Sequence, residues 1–96
     1  MRRLNKLPKK NKNLAWRIID QEAVIINLQG QPASLSEELH IFNPTATRIW
    51  QLCNGRNSMK EIISILQNEY AGDGKKIEQE TQEAISKMLK QRLISL

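Results

Sequence analysis

Two short runs near the start, LAWRIID and EAVIINL, are rich in Ile, Val and Trp and are set apart by Asp20-Gln21. Runs of this length bounded by polar residues predict two strands, Leu14–Ile19 and Ala23–Leu28, joined as a hairpin. The turn pair is not the favoured Asn-Gly type. Residues 29–38, with Gly30, Pro32, Ser34 and Ser36, read as a loop. The run Leu39–Phe42 then predicts a third strand, antiparallel to the second and at the edge of the sheet.

At Asn43-Pro44 the hydrophobic period changes from two to 3.6. Asn caps free backbone N–H groups, and Pro at the first helical position loses no hydrogen bond, so the pair predicts a helix start. Ala46, Ile49, Trp50 and Cys53 fall on one stripe, and Asn54-Gly55 predicts its end. Ser58-Met59-Lys60-Glu61 is a capping box, after which Met59, Ile62, Ile63, Leu66 and Tyr70 form a second stripe. AGDGKK reads as an interhelical break, and a third helix is predicted from Ile77, with Thr81, Ala84, Ile85, Met88 and Leu89 facing inward. The fold class that follows is α+β: a three-stranded antiparallel sheet followed by three helices, winged helix-turn-helix-like.

Charge changes the picture at one end only. Arg2, Arg3, Lys6, Lys9, Lys10 and Lys12 precede the first acid, so residues 1–13 carry six of the fifteen basic side chains. The other nine face ten acids, leaving residues 14–96 at −1. This predicts a basic, disordered arm over 1–13 and one domain over 14–96. No apolar run approaches the ~20 residues of a membrane span, and no signal peptide is apparent, so a cytoplasmic protein without a membrane partner is expected. Cys53 stands alone, which excludes an internal disulfide and fits a small buried apolar residue.

Catalytic chemistry is not apparent. His40 is the one histidine and has no Cys or paired acids near it in sequence. AGDGKK lacks the spacing of a phosphate-binding loop. Two binding modes remain. A winged helix would read DNA with its third helix, but Glu78, Glu80 and Glu83 there oppose phosphate, so nucleic acid is disfavoured. The other mode is strand addition, in which an extended peptide pairs with the open edge of the third strand while a helix supplies side-chain pockets. The same edge admits a second copy of the chain, giving a homodimer.

The stretches AWRIIDQEAVIINL, FNPTATRIWQLCNGRNSMKEIISILQNEY and ETQEAISKMLKQRLI resemble the PqqD family, named for pyrroloquinoline-quinone biosynthesis protein D. Phe42-Asn43, Ala46, Ile49 and Trp50 match that family's Leu-Asn-x-x-(Ala/Thr)-x-x-Ile-(Trp/Leu) segment. Gly55 and Ser58 match its polar turn, and Glu61, Ile62 and Leu66 its Glu-Ile-x-x-x-Leu helix. The likeness spans residues 14–94. Arg92 stands where the family often has Gly, and the loop 29–38 is longer than its usual connection.

The resemblance implies a non-catalytic peptide chaperone without a cofactor. Such a module binds the leader of a ribosomally made precursor peptide by strand addition and delivers it to a modifying enzyme. In pyrroloquinoline-quinone biosynthesis that partner is a radical S-adenosylmethionine enzyme. Carried onto this chain, the peptide-binding edge is Leu39, His40, Ile41 and Phe42, and the helical wall is Ile85, Met88 and Leu89. Lys87 and Arg92 are the charged positions that would select an acidic leader.

Overall fold

The computed structural model describes residues 6–27 and 39–96. The expectations for residues 1–5, Leu28 and the loop 29–38 lie outside the described residues. Strands Lys9–Lys10 (β1), Leu14–Ile19 (β2), Glu22–Asn27 (β3) and Leu39–Ile41 (β4) precede helices Pro44–Leu52 (α1), Met59–Glu69 (α2) and Gly74–Lys90 (α3), and Ile94–Ser95 (β5) follows. β2, β3 and β4 form an antiparallel sheet in that order, while β1 pairs with β5. The α+β class and the order of sheet, then helices, agree with the sequence pattern.

The hairpin closes on two residues, because Ile19 pairs directly with Glu22. Asp20 and Gln21 both take positive φ, 50° and 68°, the combination whose twist matches that of the flanking strands. A side chain at each position makes this turn costlier than Asn-Gly, which is why the sequence signalled it weakly. Downstream register then follows. Trp16 lies opposite Ile25 and Ile25 opposite His40, so these three share a row, and the period of two turns Ala23 and Ile25 into the core.

Each helix start is capped locally. Asn43 Oδ1 accepts the Ala46 N–H at 2.8 Å, with Pro44 leading α1. At α2, Ser58 Oγ accepts the Glu61 N–H at 3.1 Å while Glu61 Oε1 accepts the Ser58 N–H at 2.7 Å. The third start differs from expectation. Asp73 caps α3 by accepting the Lys75 N–H at 3.0 Å, so Gly74, Lys75 and Lys76 form its first turn and only Ala71–Asp73 remain as the break. Asp is as good an N-cap as Ser, and the two glycines around it hid the signal. Tyr70, expected on the buried stripe, is instead the exposed C-cap of α2.

The core gathers Ile25 from the sheet, Ile49 and Trp50 from α1, Ile62 and Leu66 from α2, Ile85 and Met88 from α3, and Leu93 beyond it. Each large side chain removed from water contributes roughly 1.5–3 kcal/mol. Cys53 is buried beside them, and that burial pushes its thiol up to about 11, which keeps it neutral and unreactive.

The described part of the basic segment is not a free arm. The Gly55 N–H donates to Pro8 O at 2.9 Å, the Met59 N–H to Lys6 O at 3.3 Å, and the Asn11 N–H to Leu93 O at 3.0 Å. Pro8 is fully buried. Gly55 has φ +81°, the left-handed conformation that favours glycine in this turn. The Lys10 ammonium sits 5.1 Å from the ring centres of both Trp16 and Trp50 and donates to Cys53 O at 3.1 Å. Burial holds that ammonium below its ordinary range. Charge composition could not anticipate this, because partners 43 to more than 80 positions away satisfy the segment.

α3 ends in a Schellman motif. The Arg92 N–H donates to Leu89 O at 3.0 Å and the Leu93 N–H to Met88 O at 2.9 Å, which turns Leu93 back into the core. The motif places Arg92 at φ 61°, a left-handed conformation that glycine adopts without a Cβ penalty. Replacing it, Arg92→Gly, is expected to stabilise the protein by about 0.5–1 kcal/mol, the steric relief exceeding the extra chain entropy of glycine. Urea unfolding reads this directly; a loss of stability would mean that the Arg92 side chain makes a compensating contact.

Candidate functional site

β4 is an edge strand with one side open: β3 pairs with one side of it, and no strand pairs with the other among the described residues. The Phe42 N–H donates to Ala23 O at 2.9 Å, so Phe42, and by alternation His40, direct their backbone groups toward β3. Leu39 and Ile41 therefore direct theirs to the open side. Their apolar side chains are also exposed, Leu39 at 38% and Ile41 at 62%.

The edge is held at a fixed angle to the helices. Thr47, buried on α1, accepts the Ala23 N–H at 2.7 Å with its Oγ1 and donates to Phe42 O at 3.3 Å. A hydroxyl thus fills the last rung of the β3–β4 ladder. The Phe42 ring meets Trp50 edge-on at 5.9 Å, and Trp16 meets the same indole at 5.8 Å. Strand and helix share one anchor.

A groove of about 340 Å³ lies between this edge and α3, lined by Leu39, His40, Ile41, Phe42, Asn43 and Ala46 on one side. Ala84, Lys87, Met88 and Gln91 line the other. Asn43, Ala46 and Ala84 also line a larger channel of about 720 Å³ between α1 and α3. Of the residues singled out from the sequence, Leu39, His40, Ile41, Phe42 and Met88 come together here. Ile85 does not line it, being fully buried in the core, and Leu89 packs against that core. The lining positions on α3 are Ala84, Lys87, Met88 and Gln91, of which Ala84 and Met88 belong to the stripe read as inward and Lys87 and Gln91 do not. Spacing of i, i+3, i+4 and i+7 around Met88 would have found them. Arg92 stands outside the lining, whereas Lys87 is on it.

Among the described residues no three His, Cys, Asp or Glu are grouped to hold a metal, and no helix is long and apolar enough to cross a membrane. What the arrangement offers is backbone donors and acceptors beside a groove lined by both apolar and polar side chains.

The family model of coenzyme PQQ synthesis protein D (PqqD) matches residues 22–94. No curated protein matches the sequence. Among solved structures, TbiB1 in complex with the TbiA(beta) leader peptide superposes with a TM-score of 0.76 at 21% identity, over 91% of this chain and 94% of that one. Lasso peptide synthetase B1 complexed with the leader peptide gives 0.75 at 16% identity, over 94% and 99%. At these identities the likeness is one of fold.

Proposed function

The chain belongs to the PqqD family, and from that premise we propose that it binds the leader of a ribosomally made precursor peptide and delivers it to a modifying enzyme. The open edge of β4 beside a groove that offers Leu39, Ile41, Phe42 and Met88 carries this reading. An extended leader would add as a strand along Leu39, His40, Ile41 and Phe42, exchanging backbone hydrogen bonds with Leu39 and Ile41. Met88 on α3 would receive alternate side chains, with Ile85 and Leu89 supporting that wall from the core. Protein and peptide would meet in the cytoplasm.

The module is non-catalytic and needs no cofactor, so the chemistry belongs to the partner. A radical S-adenosylmethionine enzyme fills that role in pyrroloquinoline-quinone biosynthesis. The two fold neighbours, both solved with leader peptides, support the ligand class without tying it to that product. Nucleic-acid binding is the weaker reading. β1 engages Lys9 and Lys10 in the body of the protein, and exposed Glu78, Glu80 and Glu83 would face phosphate. Pairing of two β4 edges into a homodimer would compete with the peptide for the same backbone groups.

Amide NMR during titration with the leader of a precursor encoded beside the gene, and in parallel with duplex DNA, tests this. Saturable shifts along Leu39–Phe42 and Ala84–Gln91 with peptide alone are expected. Shifts confined to α3 with DNA alone would replace the peptide reading.

A further inference from the structure

α3 is charged unevenly along its length. From Asp73 to Glu83 there are four acids, Asp73, Glu78, Glu80 and Glu83, against Lys75 and Lys76. From Ala84 to Leu96 there are Lys87, Lys90 and Arg92 and no acid. The β4 groove lies against the second half, and among the described residues its lining contains Lys87 and no carboxylate. The channel beyond Ala46 and Ala84 is lined by Asp73 and Glu80 as well as Lys76. The groove and the neighbouring channel thus carry opposite charge character.

Lys87 is exposed, and no ion pair to it occurs among the described residues, the one salt bridge there being Arg48–Glu69. Its helical neighbour one turn back, Glu83, accepts instead from Gln79 Nε2 at 3.4 Å. Lysines in the last turns of a helix also complement its dipole, which accounts for a basic C-terminal half in general. It does not account for an ammonium on the lining of the β4 groove with no acid facing it among the described residues. Resting on the proposed function, we infer that Lys87 is a specificity-determining residue: the peptide taken by this groove carries an Asp or Glu at the position opposite Lys87. The preference is local, since a second acid further along would meet Asp73 and Glu80.

The test is selection of a displayed library of random 12-residue peptides on the full-length protein and, in parallel, on Lys87→Glu. Selected peptides are then synthesised and titrated by NMR. The wild-type pool should be enriched in Asp or Glu at one register, and the variant pool in Lys or Arg at that register. A synthetic acidic peptide should lose about tenfold in affinity on Lys87→Glu, an exposed attraction being replaced by a repulsion of similar size, and its charge-reversed counterpart should recover it. Peptides that shift Leu39–Phe42 yet show no charge preference overturn this inference and leave the proposed function standing. If no selected peptide shifts those residues, strand addition at β4 is itself refuted, and the role of Lys87 with it.

Discussion

Ile41→Pro is expected to weaken leader binding on the order of 10–100-fold while leaving the protein folded. Parity of backbone direction is the reason. The Phe42 N–H points at Ala23 O, so the Ile41 N–H points at the open edge, where an added strand would take it. Proline removes that donor and sets its ring where the peptide backbone would approach, and edge strands are where proline is tolerated. With the Ile41 side chain 62% exposed, little packing is lost. His40→Pro is the informative contrast. His40 is paired with Ile25 in the interior of the β3–β4 ladder, so proline there should cost stability as well as affinity. Anisotropy with a labelled leader, alongside urea unfolding, separates the two. Wild-type affinity in folded Ile41→Pro would remove strand addition at β4 from the mechanism.

The features that the sequence revealed are those decided within a few residues. Asn43-Pro44 and Ser58-Glu61 are local hydrogen-bonding devices, and both act as their side chains predict. The strand-to-helix switch is signalled locally as well, by the change of hydrophobic period at Asn43-Pro44, so the edge residues Leu39–Phe42 could be named in advance. Where long-range pairing decides, the pattern was silent. Lys10 looks like part of a solvated arm until two tryptophans and a carbonyl from α1's end surround it. The β1–β5 pair joins residues more than eighty positions apart, and neither strand exceeds two residues. On α3 the groove lining coincides with the named wall at Met88 and departs from it elsewhere. Ile85 and Ala84 are adjacent in sequence but about 100° apart around the helix, and only the position of β4 decides which faces a groove and which the core. Hydrophobicity pointed to the larger residue, which is the one that is buried.

The junction between strand and helix depends on a single hydroxyl, and its removal should produce the largest loss of stability of any conservative change near the groove. Thr47→Val preserves shape and β-branching but leaves the Ala23 N–H without its 2.7 Å acceptor and Phe42 O without its 3.3 Å donor. Ala23 is fully buried, so water cannot readily replace the lost partner. An unsatisfied buried donor with an impaired acceptor should cost about 2–3 kcal/mol, partly offset by the apolar gain of valine. Thr47→Ser keeps the hydroxyl and forfeits only a methyl group, a loss of about 1 kcal/mol. The two variants therefore separate hydrogen bonding from packing, and the Ala23 amide should exchange faster with solvent in the valine variant alone. Because Phe42 is the hinge between β4 and α1, valine should also loosen the groove and lower leader affinity by more than its loss of global stability would explain. Equal stability of the valine and serine variants would show that packing, not the bridging hydroxyl, holds the edge strand in place.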